Sequence, residues 1–260
     1  MDETGPTLPQ RVTAVLHAKQ YLVFFAIGLY VLDFAVPIAS AWLYRHESLA
    51  ELLNNRGPLA DAVASRSAVI AAVFVAYLLV GTWLRAGYIR SLVGPFHLRP
   101  ADRRQFVSLL VLELALDVGG ALAAGALVLA GNDPLLVDAV ALGLLAFFFM
   151  VLYTDYIIVI AHVGPLRAVV LSWHTVRAAP IPSALILLAV TLLGYASAGL
   201  LNENVTGSLA LALPMMLVQC VIMGSVFFVA DVVLVVLYLN AEESGRLKPR
   251  PRGVDDTRML

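Results

Sequence analysis

The stretch of residues 150–165, MVLYTDYIIVIAHVGP, is apolar on both sides of a single acid, Asp155, and ends in His-Val-Gly-Pro. Its apolar residues are typical of a membrane-spanning helix, where an ionised carboxylate is costly because hydrocarbon does not solvate charge. Gly followed by Pro interrupts a helix, and Pro165 is suited to the first turn of a new one. The stretch therefore predicts a membrane span that ends at a helix break and contains an acid in need of a partner.

The rest of the chain has the same apolar character. Of its 260 residues, 61% are hydrophobic and only 13% are charged, far from the composition of soluble globular proteins. Six apolar runs are long enough to cross a hydrocarbon core of about 30 Å. They are residues 21–43, 64–84, 106–130, 135–161, 182–201 and 208–239. We predict an all-α polytopic membrane protein with a cytoplasmic segment at 1–20, a six-helix membrane domain at 21–240 and a basic, disordered cytoplasmic tail at 241–260.

Lysine and arginine are distributed unequally between the two sides of these spans. Fourteen of the 17 lie on the side that holds both chain termini. Because positively charged loops stay in the cytoplasm, both termini are predicted to be cytoplasmic, and we place the protein in a bacterial inner membrane. A cleaved signal peptide is the alternative for the first span, since Ala39-Ser40-Ala41 resembles a cleavage site.

The cytoplasmic connections predict helices that lie in the membrane interface. After Pro165, apolar residues recur at helical spacing and basic residues occupy the other face, which is typical of an interfacial amphipathic helix. Val-Gly-Pro also follows the second span, at residues 93–95, and predicts a second helix there. The residues expected to contact lipid are Arg90, Arg167, Trp173 and Arg177. The predicted partners are membrane lipids and another membrane or cytoplasmic protein, with no nucleic acid.

Acids inside the predicted spans are the candidate site. They are Asp33, Glu113, Asp117, Asp155 and Asp231. No Lys or Arg is assigned to the same depth, so two interpretations stay open. The acids form a pocket for a proton, a metal ion or a cationic substrate, or they form a clasp. In the clasp, the carboxylates accept hydrogen bonds from interfacial helices beginning at Pro95 and Pro165 and attract arginines such as Arg85. The clasp is favoured because the acids lie just beneath the helix breaks.

Signatures of enzymes and cofactor sites were sought along the chain. There is neither a His-Glu-x-x-His metal helix nor a Gly-x-x-x-x-Gly-Lys phosphate loop, and the five histidines fall near the ends of the spans. The single cysteine, Cys220, excludes a disulfide within the chain. No catalytic residue, metal site or cofactor is predicted.

Residues at the two cytoplasmic connections resemble those of a known group of proteins. They are Gly87-Tyr-Ile-Arg90, Gly94, Pro100 and Phe106, followed by Asp155-Tyr-Ile-Ile-Val, Gly164-Pro-Leu-Arg-Ala168 and Ser172-Trp-His-Thr-Val-Arg177. The pattern resembles bacterial six-span membrane proteins of uncharacterised function and is similar to the membrane domain attached to some glycerophosphodiester phosphodiesterases. The resemblance implies six helices with amphipathic cytoplasmic connectors, acting as an accessory module. It transfers no catalytic residue, because the phosphodiesterase domain is not part of this sequence.

The sequence thus favours a non-enzymatic integral membrane protein, acting as an accessory or structural subunit. The alternative is a small ion- or proton-coupled transporter that uses the intramembrane acids. A lipid-handling enzyme with an unrecognised site is a third hypothesis.

Overall fold

A computed structural model describes residues 6–33, 59–130, 134–204 and 209–245, in which the regular secondary structure is α-helical. This confirms the all-α class for the described part of the chain. The helices are α1 Leu8–Ala18, α2 Leu22–Asp33, α3 Leu59–Val93, α4 Arg103–Ala130, α5 Pro134–Val151, α6 Thr154–Ala161, α7 Pro165–Ala178, α8 Pro180–Asn204 and α9 Leu209–Glu243. Most of the predicted tail at 241–260 lies outside the described residues.

Three to five membrane spans can be assigned within the described residues. Segments Ala71–Val93, Leu135–Ala161 and Pro214–Glu243 are each long and apolar enough to cross a bilayer. The bent pairs α1–α2 and α7–α8 add two more if each pair counts as one span. The chain is therefore a polytopic membrane protein. The predicted third span corresponds to α4, whose 28 residues would extend about 42 Å, but its crossing remains a prediction.

Helices α1 and α7 lie across the ends of their neighbours. The axes of α1 and α2 differ by 81° and those of α7 and α8 by 106°. Helix α1 lies in the segment predicted only to be cytoplasmic, and it packs against α9, where Arg11 Nη1 lies 2.5 Å from Glu243 Oε2. Helix α7 begins at Pro165, as the sequence predicts. It buries a face of small residues, including Ala168 and Ser172, and leaves Leu166 exposed.

The predicted fourth span is broken between α5 and α6. Ser172 of α7 lies at the break, where its Oγ donates to the Met150 carbonyl (2.7 Å) and accepts from the Tyr153 backbone N–H (3.0 Å). These two bonds satisfy backbone groups that a continuous helix would pair internally. The break begins a new helix at Thr154, so Asp155 lies in the first turn of α6 and not in the middle of a long helix.

The core lies where α3, α6 and α9 meet. Ile89, Ile157 and Val232, one from each helix, are fully buried. Helices α2 and α9 approach so closely that a Cβ added to Gly224 would lie 2.6 Å from Ile27 Cα. By contrast, Leu142 of α5 is 67% exposed, as expected for a side chain that faces lipid.

The glycines of α4 make little contact with the other described helices. A Cβ added at Gly119, Gly120 or Gly125 would meet no heavy atom of the described residues within 4 Å.

Candidate functional site

Arg85 of α3 lies among the acids and connects two other helices to its own. Its Nε donates to Asp155 Oδ2 over 3.0 Å, and its Nη2 donates to the same oxygen. The Nε atom also lies 3.4 Å from Glu113 Oε1 of α4. One guanidinium thus pairs with a carboxylate from α6 and a carboxylate from α4. We call Arg85, Glu113, Asp155, Asp231 and Tyr156 the charge cluster.

The helix break positions Asp155 for this role. The residue is 8% exposed, and its Oδ1 accepts a hydrogen bond from the Tyr156 backbone N–H over 2.9 Å. Negative charge is favoured in the first turn of a helix, where unpaired N–H groups give a positive dipole end. The helix that stabilises Asp155 is therefore α6 itself, and the expectation that α7 or a helix at Pro95 would do so was wrong.

Asp231 of α9 joins the cluster through tyrosine hydroxyls. The Tyr156 hydroxyl donates to Asp231 Oδ1, so a single turn of α6 contacts both α3 and α9. The buried Tyr88 of α3 faces the same carboxylate, but its hydroxyl makes no hydrogen bond of normal geometry. Asp231 itself is 7% exposed. Tyrosines therefore supply the donor that a buried carboxylate requires.

Asp33 lies beside the cluster in a small cavity. It is the last residue of α2, and its Oδ1 accepts a hydrogen bond from the Tyr77 hydroxyl over 3.2 Å. The cavity measures about 140 Å³ and also exposes Arg85, Glu113 and Thr82. The Thr82 hydroxyl is buried and has no hydrogen-bond partner among the described residues. The cavity is thus polar and large enough for a few water molecules.

Asp117 is the one predicted acid that the structure leaves outside these contacts. It lies one turn beyond Glu113 on α4, and its Oδ2 is buried without a hydrogen-bond partner among the described residues. The four-residue spacing places Asp117 and Glu113 on one helix face, as the sequence indicates. However, only Glu113 reaches Arg85.

From the sequence, no Lys or Arg was predicted at the depth of the acids in the membrane, and that prediction was wrong. The predicted second span ends at Leu84, whereas α3 continues to Val93. Arg85 therefore lies inside the helix and its side chain points at the acids. Its position next to the predicted span end is the signal that could have identified it.

The four residues predicted to contact lipid lie at two places. On α7, Trp173 is 39% exposed, and Arg167 and Arg177 are also exposed. Arg90 lies near the end of α3, where its Nη1 donates to the Arg99 carbonyl over 2.9 Å. It lines a cleft between α3 and the beginning of α4, together with His97, whose pKa is lowered by burial and then by Arg90, Arg99 and Lys19.

The chemistry of the charge cluster favours internal pairing over capture of a metal. The Arg85 guanidinium repels a cation that approaches Glu113 or Asp155. Within the described ranges, no three His, Cys, Asp or Glu side chains are grouped closely enough to hold a metal ion. The arrangement can hold helices in register, and it can hold protons on acids that Arg85 does not neutralise.

The chain matches no known protein-family model, no curated protein and no solved structure.

Proposed function

We propose that this protein is a non-enzymatic accessory or structural subunit of a bacterial inner membrane, with both termini in the cytoplasm. In this proposal the charge cluster is a clasp that fixes α3, α4, α6 and α9 relative to one another. The observation that carries it is the pairing of Arg85 with both Glu113 and Asp155. Six membrane crossings, with α4 as the third, belong to the proposal.

The clasp is supported by the number of helices that it joins through few residues. Arg85 connects α3 to α4 and α6, and Tyr156 connects α6 to α9. Removing one partner of a fully buried ion pair costs about 3–5 kcal/mol, and a smaller loss is expected here because the Arg85 side chain is 37% exposed and that of Glu113 is 26% exposed. A short helix with seven buried residues, such as α6, is well suited to carry such a pair.

The exposed face of α7 supports an association with the membrane surface. Leu166 is 85% exposed and Val170 is 56% exposed, and both lie beside the exposed Trp173. Apolar side chains next to a Trp and arginines are typical of a helix that lies at the headgroup level. The resemblance to six-span bacterial proteins and to the membrane domain of glycerophosphodiester phosphodiesterases is consistent with an accessory role, and it implies no hydrolytic activity here.

The test of the clasp is a set of substitutions in the detergent-purified protein. Arg85→Gln should lower the free energy of unfolding by about 1–3 kcal/mol, since the Glu113 and Asp155 carboxylates then lose the cation that they pair with. The Arg85→Gln/Asp155→Asn double variant should recover part of this loss, because the second change removes an uncompensated charge. Asp117→Asn is the matched control, since Asp117 makes no ion pair in the described structure, and it should change stability little.

Equal unfolding midpoints for Arg85→Gln and Asp117→Asn would contradict the clasp. The accessory role has a separate readout, because a subunit should co-purify with a defined partner protein from its own membrane. A chain that elutes alone after mild solubilisation and crosslinking would contradict that role without affecting the clasp.

A small ion- or proton-coupled transporter is the second candidate, and the 140 Å³ cavity beside Arg85 favours it. One arginine against the carboxyls of Glu113, Asp155 and Asp231 also leaves negative charge without a cation. A transporter should gain thermal stability from one of Na⁺, K⁺, Mg²⁺ or Zn²⁺, or over one interval between pH 5 and 9. The response should vanish in Glu113→Gln/Asp117→Asn. If no ion and no pH interval in this range changes the thermal stability of the wild type, the transporter is excluded.

A further inference from the structure

A cleft outside the charge cluster has the composition of an anion site. It measures about 610 Å³ and lies where residues 94–102 connect α3 to α4. Four basic side chains line it, and two aromatic side chains line it as well. They are Arg90, His97, Arg99 and Arg103, with Trp83 and Phe106.

The shape of the cleft is set by backbone contacts. The buried Ser91 Oγ accepts from the His97 N–H (2.8 Å) and lies 3.0 Å from the His97 carbonyl. The connection crosses α3 at Gly87, where an added Cβ would lie 2.7 Å from the Leu98 carbonyl carbon. The Arg90 guanidinium is held by the Arg99 carbonyl over 2.9 Å. The backbone of the connection and the Arg90 guanidinium are therefore held in place without a ligand.

The electrostatics of the cleft favour a negative ligand. The acid that lines it, Asp102, is already used, because its Oδ1 accepts from the Gln105 N–H over 2.7 Å at the beginning of α4. Because Asp102 caps the beginning of α4, the basic side chains and not the helix end would contact a negative ligand. Arginine side chains bind phosphate groups through charge-assisted hydrogen bonds.

The aromatic side chains distinguish a lipid from a free anion. Trp83 lies two turns before Arg90 on α3, which is about 10 Å along the helix and towards the centre of the candidate span. Its ring meets Phe106 edge to face, with centroids 5.8 Å apart. Trp83 is 45% exposed. A soluble phosphate would use the basic groups alone, whereas a phospholipid would use both the basic and the aromatic parts.

We propose that this cleft binds the phosphate of an anionic membrane phospholipid, with Arg90, Arg99 and Arg103 on the headgroup. Trp83 and Phe106 contact the upper part of the acyl chains. The predicted orientation places the cleft at the cytoplasmic leaflet, which carries the anionic lipids. The site is separate from the clasp, so it stands if the clasp proves wrong.

The experiment measures lipid binding to the detergent-purified full chain by native mass spectrometry. The probes are dioleoylphosphatidylglycerol, dioleoylphosphatidylcholine and soluble glycerol phosphate. The variant is Arg99→Gln/Arg103→Gln, which keeps the bond from Arg90 to the Arg99 backbone carbonyl. The matched control is Arg104→Gln, compared with Arg103→Gln alone, because Arg104 is exposed at the next position of α4 and does not line the cleft. Trp83→Leu is a further variant that keeps every charge.

We expect phosphatidylglycerol to bind the wild type at least tenfold more tightly than phosphatidylcholine. Arg99→Gln/Arg103→Gln should lose about tenfold or more of this affinity, and Arg104→Gln should lose little. Trp83→Leu should weaken lipid binding at an unchanged melting midpoint. The proposal is overturned if Arg104→Gln loses as much affinity as Arg103→Gln, or if the two lipids bind alike. It is also overturned if glycerol phosphate displaces the lipid at equal concentration, since a soluble anion is then the ligand.

Discussion

The two connections that contain Val-Gly-Pro have different structures. At residues 93–95, α3 ends at Val93, the Gly94 N–H closes the last turn on the Arg90 carbonyl over 3.0 Å, and the chain then runs without a helix to α4. At residues 163–165, α6 has already ended at Ala161, His162 adopts a left-handed φ of 53°, and Pro165 begins α7. In both connections Val-Gly-Pro therefore lies at or just after the end of a helix, but a new helix begins at the proline only in the second.

The difference comes from the contacts that each connection makes. Ser91 of α3 bonds to residues 94–102, as does the Lys19 ammonium, which donates to the Gly94 carbonyl. Phe96 of the same connection contacts Tyr21 and Phe25, at the beginning of α2. Residues 162–164 lead directly into α7. Ser172 of α7 forms hydrogen bonds with backbone groups at the break between α5 and α6. Tertiary contacts, and not the tripeptide, determine whether a helix begins at the proline.

Among the substitutions that test the difference between the two connections, Gly87→Ala should have the largest effect on the free energy of unfolding. The new Cβ would lie 2.7 Å from the Leu98 carbonyl carbon and 2.8 Å from the Arg99 nitrogen, and neither backbone atom can rotate away. We expect a loss of about 2–3 kcal/mol in the free energy of unfolding. Gly164→Ala is the matched control in the other connection, since its Cβ would meet nothing within 4 Å. Equal denaturant midpoints for the two variants would show that residues 94–102 are not held against α3.

An intermediate effect is expected from the two serines that serve the connections. Ser91→Ala and Ser172→Ala each leave buried backbone groups without a partner, so each should cost about 1–3 kcal/mol. Ser225→Ala is the control, because its exposed hydroxyl donates only to the Val221 carbonyl of its own helix. Hydrogen exchange should rise near His97 in the first variant and near Tyr153 in the second. A rise at both places in either variant would show that the connections are not independent.

The smallest effect is a pH dependence at residues 94–102. Because the pKa of His97 is lowered in the folded protein, the unfolded chain binds a proton first as pH falls below about 6.5. The folded protein therefore loses no stability to protonation of His97 above that pH. It loses stability as the pH falls from that value towards the lowered pKa of the folded state. The melting midpoint of the wild type should fall more between pH 7 and 5.5 than that of His97→Gln.

Much of the fold could be predicted from the sequence because hydropathy and helix-breaking residues act locally. Five of the six predicted spans overlap the candidate spans of the described structure. The helix that begins at Pro165 was also predicted. The break before Thr154 was not, because no Gly or Pro precedes it and a serine 19 residues beyond Tyr153 stabilises it.

The acids of the candidate site could be predicted from the sequence, but the residues that pair with them could not. Asp155 and Glu113 were identified because an acid in an apolar run is conspicuous. Arg85 was named only among several arginines, since its pairing depends on how far α3 extends and on how it is rotated. Tyr156 and Tyr88 gave no signal, because tyrosine is ordinary in a span.

The amino-acid sequence by itself determined that this chain is helical and polytopic, and it placed acids within apolar runs that cannot leave them unpartnered. Those properties follow from composition and spacing along the chain. Only the tertiary structure decided that Arg85 meets Asp155, 70 positions away, and that arginines and aromatic residues converge on one cleft. Depth and rotation of packed helices are set by many contacts together, and no local pattern records them.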